Sequence, residues 1–285
     1  MSKSKNVLVA LAFLAPAILA VSILRIWPAL VAVHESLLAP RATTYSLDNY
    51  IYIFTDPIFQ SSVVTTLFFS IVVNPLQIAV ALGLAILLNN KLPGTGFWRT
   101  LILLPVAIPA SVSAVVWAAA LRPDGLANAM LAVFGIGPQP FLTSPQQALA
   151  CIILVTSWIG VGYWMTILLA GLQDIPKSLY EAARIDGMNR WQQFRFVTLP
   201  QLRRPLTFVL VADTVANFLV FAPVQILTRG GPQRSTNLIM HEIYTRAFAT
   251  GDKSSAYAAT VVLILLMLTV VAIQFRMMGD QGDKA

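Results

Sequence analysis

Apolar residues in this chain neither alternate nor keep to a narrow stripe; they come in long runs broken by short polar stretches. Six runs reach the roughly 20 residues that a helix needs to cross a bilayer. They lie near 8–33, 63–88, 100–121, 148–171, 206–227 and 257–276. Turn-forming residues punctuate the connections: Asp56-Pro57, Arg122-Pro123-Asp124-Gly125, Gly135 through Pro140, and Gly230-Gly231-Pro232. Lys3 and Lys5 before the first run resemble the start of a signal peptide. Its apolar stretch continues past Val21 to Leu30 and Val33, however, well beyond the roughly 7–15 residues of a signal core, so an uncleaved helix is expected. Pro105 and Pro109 predict kinks in the third run. The pattern predicts an all-α integral membrane protein with six transmembrane helices.

Composition agrees. Of 285 residues, 57% are hydrophobic and 11% charged, with a mean hydropathy of +0.74; a soluble domain carries about 25% charged residues. The net charge of +7 matters through its distribution. With the N-terminus cytoplasmic, that side holds Lys3, Lys5, Lys91, Arg99, Lys177, Arg184, Arg190, Arg195, Arg203, Arg204, Arg276 and Lys284. The other side holds Arg41, Arg122, Arg229, Arg234, Arg246 and Lys253. The excess predicts both termini inside, and nucleic acid need not be invoked as a partner. Cys151 has no second cysteine to pair with, and His34 and His241 show no metal-ligand spacing, so no metal site is expected. No Gly-x-x-x-x-Gly-Lys-Ser/Thr loop occurs, so any nucleotide chemistry must belong to another subunit.

The polar connection 175–205 is the most informative stretch. Ser178 and Glu181 have capping-box spacing and predict a helix start. Ala182 and Ala183 leave little side chain between this helix and a neighbour, and Gly187 supplies a left-handed stop. Asn189 can cap a second short helix on which Trp191, Phe194 and Val197 share an apolar side, ended by Pro200. Two readings follow from these residues: a plug for a groove in another protein, or an amphipathic loop resting on headgroups.

The run Glu181-Ala182-Ala183, Asp186-Gly187 and Leu199-Pro200 resembles the EAA loop of binding-protein-dependent ABC importer permeases. Leu169 through Gln173 with Ile175-Pro176 are similar to the carbohydrate-uptake branch, as are Leu227-Thr228, Gly230-Gly231-Pro232, Thr236, Ile243-Tyr244 and Ala247-Phe248. Pro105, Trp117, Asn128 and Leu131 also match, and Met188 departs where the family often has Ala. The resemblance covers most of 60–276. It implies a type I ABC importer permease fold in a bacterial or archaeal inner membrane. One transmembrane domain would occupy 61–276, preceded by a peripheral helix and outer loop in 1–60 and followed by a cytoplasmic tail, 277–285. It implies that Glu181, Ala182, Ala183, Asp186, Gly187, Leu199 and Pro200 form the coupling loop. The implied partners are a second homologous permease, two ABC ATPase subunits that bind ATP and Mg, and an extracytoplasmic solute-binding protein that meets the Gly230-Gly231-Pro232 turn.

Polar residues inside a span are costly and mark either a solute path or interhelical bonding. Asp213, Asn217, Phe221 and Gln225 follow four-residue steps along the fifth run and suit a sugar, with rings for stacking and amides for hydroxyls. Asn74 and Gln77, beside Pro75, fit structural bonding better. Phe221-Ala222-Pro223-Val224 and Gln274-Phe275-Arg276 resemble the glycerol-3-phosphate branch as much as the sugar branch, but the fifth run offers no base for a phosphate. An ion-coupled secondary transporter would depend on Asp213. No catalytic constellation is evident, so the chain is not expected to be an enzyme.

Overall fold

The computed structural model describes residues 3–39, 44–90 and 93–279. Arg41, Lys91 and Lys284 of the charge distribution, and the expected tail from 280 onward, lie outside them. Among the described residues regular structure is helical, apart from one isolated antiparallel bridge between Leu38 and Tyr45.

Five helical stretches are long and apolar enough to cross a membrane: Phe13–Ser36, Pro57–Asn89, Ala148–Gln173, Arg203–Leu227 and Lys253–Met277. The expected third span, 100–121, is broken in its middle. It is two helices, α5 (Thr95–Ala107) and α6 (Ala110–Ala120), bent by 98°. Pro109 supplies an extended N-cap (ψ 137°) and the preceding Ile108 is extended too (ψ 129°), so the chain turns instead of merely kinking.

The chain divides into two compact units. The first comprises Met1–Gln60 with Ile243–Leu265. Here α1 (Lys3–Val21) runs through a π-helical turn, Ser22–Ile26, into α2 (Trp27–Ser36). Only 6% of its span window is buried in the chain, so other surfaces must cover it. The Asn49 amide, on α3 (Asp48–Thr55), donates to the carbonyls of Ser36 and Leu38 at 3.0 and 2.7 Å, tying α3 to the end of α2. Arg246 is buried, paired with Asp56 and flanked by the Tyr52 and Phe59 rings. A cation so buried persists because carboxylate and ring faces replace its water.

The second unit comprises Ser61–Glu242 with Leu266–Ala285. It contains most of α4 (Pro57–Asn89), then α5 and α6, and α7 (Leu126–Val133). Half of the α8 (Ala148–Gln173) span window is buried, which makes α8 its central helix. Ala81, Ala85, Met165, Leu168, Leu202 and Val209 anchor one core, and Phe69, Val73, Ala114, Ile152, Val155 and Val224 another. Small residues set the spacing. A Cβ at Gly162 would stand 2.4 Å from the Ile102 carbonyl oxygen, and one at Gly171 would stand 2.7 Å from Pro205 Cγ. The fifth span is α12 (Arg203–Phe218) followed, after a break, by α13 (Ala222–Leu227).

Candidate functional site

Between α8 and α12 the chain forms α9 (Lys177–Ile185), α10 (Arg190–Gln193), a π turn (Phe194–Thr198) and α11 (Leu199–Gln201). The expected capping box at Ser178 is absent. Pro176, extended at ψ 131°, is the N-cap and carries no side-chain cap, so the helix begins one residue before Ser178. The stop is as expected: Gly187 sits at φ +75°. Its N–H donates to Arg184 O at 3.0 Å, and the N–H of Met188 to Ala183 O at 2.9 Å, the paired bonds of a Schellman end. Asn189 caps α10 in a reciprocal box with Gln192, at 2.9 and 2.8 Å. Pro200 does not end the second helix. The wider π turn before it carries Leu199 N–H to Phe194 O, which accommodates a ring that would clash in a regular helix.

The two alanines of α9 face opposite ways. Ala183 is buried, and on the same side the Tyr180 hydroxyl bonds Thr198 Oγ1 at 3.0 Å. Ser178, Glu181, Ala182 and Ile185 form the outward face, at helical spacing, with Asp186 and Gly187 exposed beyond them. Ile185 is 87% exposed, a large apolar residue with no cover in its own chain. Sequence reading missed it. The available signal was its position two residues past Ala183, on the far side of the helix. Leu199 is half-buried and Pro200 exposed. The loop is fastened where it joins α8 and α12 by the close approach of Gly171 to Pro205 and Leu202.

Deeper in the second unit, Asp213 and Asn217 are 1% and 4% exposed and take part in a network joining several helices. The Asn217 amide donates to Asn74 Oδ1 at 2.8 Å and to Asp213 Oδ1 at 3.0 Å. Asn74 donates to Thr214 Oγ1 at 2.8 Å and Ser70 Oγ at 2.9 Å, and Gln274 donates to Thr214 at 2.8 Å. In its satisfied orientation the Gln77 amide donates to Asp213 Oδ1 at 2.6 Å and accepts from Ser157 N–H at 3.2 Å. The Trp164 indole also hydrogen-bonds Asp213. In this conformation Asp213 and Asn217 thus face protein, bonded as Asn74 and Gln77 were expected to be. Phe221 and Gln225 are half-buried, and the Phe221 ring faces the His241 ring at 6.5 Å between centroids, with the planes inclined by 27°.

The Gly230-Gly231-Pro232 turn is a bonded knot. Thr236 Oγ1 bonds Thr228 Oγ1 at 2.7 Å and donates to Gly231 O at 2.8 Å. Gly230 is buried at φ +79°, and a Cβ there would stand 2.8 Å from His241 Cε1. Only glycine satisfies both constraints. Burial holds His241 below the usual imidazole pKa, opposed by the charge of Glu242, and Asn237 links the two at 2.8 Å to each. Gly231 and Pro232 line an open cleft of about 670 Å³ with Arg122, Thr143 and Thr228. A smaller cleft of about 370 Å³ lies between Val80, Ile102, Pro105 and Trp158. Neither is lined by Asp213, Asn217, Phe221 or Gln225.

Residues 77–278 match the family described as binding-protein-dependent transport system inner membrane component. The lactose transport system permease protein LacF of Rhizobium radiobacter is 34% identical over 267 residues, 91% of this chain and 89% of that one. The sn-glycerol-3-phosphate transport system permease protein UgpA of Brucella abortus is 32% identical over 92% of each chain. UgpA of Yersinia pestis is 37% identical over 81% of this chain and 78% of its own. In fold, the chain is similar to one from a bacterial ABC transporter that imports the acidic polysaccharide alginate. The TM-score is 0.82 and the identity 23%, over 97% of this chain and 96% of that one. An amino acid ABC transporter chain is more distant, at TM-score 0.55 and 15% identity over 83% and 99%. With its apolar spans, the polar loop between α8 and α12 and this extent of matching sequence, the chain belongs to the family of binding-protein-dependent transport system inner membrane components.

Proposed function

We propose that this chain forms half of the translocation channel of an ATP-driven importer, carrying a sugar or oligosaccharide handed over by an extracytoplasmic solute-binding protein. The observation that carries the reading is α9. It is a short, firmly ended helix held in water between two spans, with Ile185 and Ala182 outward and nothing of its own chain to cover them. An uncovered isoleucine on a rigid helix suits a groove in another protein. That partner is taken to be one of two cytoplasmic ATPase subunits, which bind ATP and Mg on their own chains. A second homologous permease completes the channel, and both termini of this chain face the cytoplasm of a bacterial or archaeal cell. The turn Gly230-Gly231-Pro232, rigid and beside an open cleft, is assigned to the face that receives the binding protein.

ATP binding draws the two coupling loops together and turns the cavity outward; hydrolysis resets it. The nucleotide can drive this only by binding one arrangement better than the other. Gly171 against Pro205 makes the loop and the bases of α8 and α12 move as one piece. For the solute, lactose transport by a relative at 34% identity supports a sugar. Relatives that carry glycerol-3-phosphate favour a phosphorylated solute as the second reading. The stretch from Pro205 to Thr228 has no Lys, Arg or His to meet a phosphate, which favours the neutral solute. Phe221 and Gln225 are the residues of this chain assigned to the path, with Asp213 and Asn217 joining it only if their network opens in the other state.

Gentle purification of the tagged chain from its native membrane tests the assembly. A second permease, an ATPase and a binding protein should be recovered, and binding assays on the last name the solute class. Recovery of the intact chain alone across several detergents would remove the importer reading.

A further inference from the structure

The return limb of the cytoplasmic loop carries a second exposed surface, separate from the outward face of α9. Along α10, the π turn and α11, Gln193, Phe194, Val197 and Thr198 turn inward. Trp191, whose ring meets that of Phe194 at 5.5 Å between centroids, and Phe196 are 67% and 61% exposed. Arg195 lies exposed between them, with Arg190 and Arg204 exposed at either end. None of these three arginines is within 4.0 Å of a carboxylate among the described residues. The sequence holds no acidic residue at all between Asp186 and Asp213. Through Leu202 this limb runs straight into the helix Arg203–Leu227, which is long and apolar enough to cross a membrane, so few residues separate it from a span.

We propose that this face binds anionic phospholipid headgroups and holds the return limb of the coupling loop against the cytoplasmic leaflet. Exposed tryptophan and phenylalanine take the headgroup boundary, where a ring finds apolar and polar surroundings together. The guanidinium groups of Arg190, Arg195 and Arg204 then meet lipid phosphates, for which the planar fork is suited. A protein groove remains the fit for α9, whose outward face bears Ile185 and Glu181 but no unpaired cluster of one sign. The lipid composition of the leaflet would thereby set how firmly the loop is seated between the ATPase and the spans.

The test is hydrogen exchange on the full chain in nanodiscs, alone and in its purified assembly, with phosphatidylcholine only or with phosphatidylglycerol added. Residues 188–201 should exchange more slowly as phosphatidylglycerol increases, with or without the ATPase, while 177–187 respond to the ATPase and not to the lipid. Each arginine removed should weaken the lipid effect about fivefold, so R190Q/R195Q/R204Q should abolish it while exchange in α8 and α12 stays unchanged. The wild-type comparison of the two lipids stands even if the triple variant fails to fold. Protection that ignores phosphatidylglycerol would overturn the proposal. So would protection of 188–201 that appears only with the ATPase, which would assign this face to the protein partner. Because the chain alone reads the lipid effect, failure of the importer reading would leave this result interpretable.

Discussion

The polar loop between α8 and α12 and the network around Asp213 solve opposite problems. In the loop, an apolar side chain, Ile185, is left in water at 87% exposure; in the network, a carboxylate, Asp213, is sealed in a membrane span at 1%. Neither is a resting place favoured by solvent. Asp213 is stabilised within the chain, by Asn217, Gln77 and the Trp164 indole. Ile185 has no such cover within the chain; on the function proposed here, a partner supplies it. The contrast separates a group that holds the bundle from one that the proposed function assigns to another subunit.

The largest difference is expected within α9 itself. Ala183→Asp places an unpaired charge in the interior of the loop and should cost roughly 3–5 kcal/mol, seen as lost expression or a lower melting temperature. Ile185→Asp should leave the melting temperature of the isolated chain unchanged yet reduce ATP-driven uptake by about 5–150-fold, the range of ordinary coupling energies. Equal loss of stability in both would erase the distinction between the two faces. Next comes Gly171→Val, which forces atoms into Pro205 and should cost about 1–3 kcal/mol in thermal unfolding, loosening the loop from its spans.

A smaller effect is expected in the network. Asn217→Leu removes the donor shared by Asn74 and Asp213 and should cost about 1 kcal/mol, near the lower end for a stranded buried group. It should leave ATPase recovery intact, since the loop is untouched. The smallest is at the Gly230-Gly231-Pro232 turn. His241 has its folded pKa depressed below the unfolded 6.5, so the folded form binds fewer protons in that window. Its contribution is full above about 6.5 and is lost as pH falls through the folded value. Protection factors in 228–242, corrected for the intrinsic exchange rate, should fall modestly on acidification, and His241→Gln should flatten that response.

Much of the fold was legible because long apolar runs have few alternatives to a span. The left-handed stop at Gly187 and the cap at Asn189 were legible for a similar reason, since each is fixed by the residue's own backbone chemistry. Three features were not. The 98° break between α5 and α6 depends on how the chain leaves Pro105 and Pro109, and the residues alone indicated only a kink. Ser178 had capping spacing, but the extended Pro176 before it took the cap position first. The partners of Asp213 and Asn217 lie on α4 and α8, far away in sequence, and no periodicity within one helix can name them. The same four-residue step fits a solute path and an interhelical network equally well; only the position of Asn74 and Gln77 distinguishes them in this conformation.

The central claim is that the outward stripe of α9, and not its alanine pair as a unit, seats in the ATPase. The most direct test replaces buried Cys151 with alanine and introduces single cysteines at Ala182, Ala183 and Ile185 for cross-linking in native membranes. Cross-links to an ATPase subunit at positions 182 and 185, changing with bound nucleotide, and none at 183, are the predicted result. Cross-linking at 183 as strong as at 185, or none at any position in an active transporter, would contradict the account.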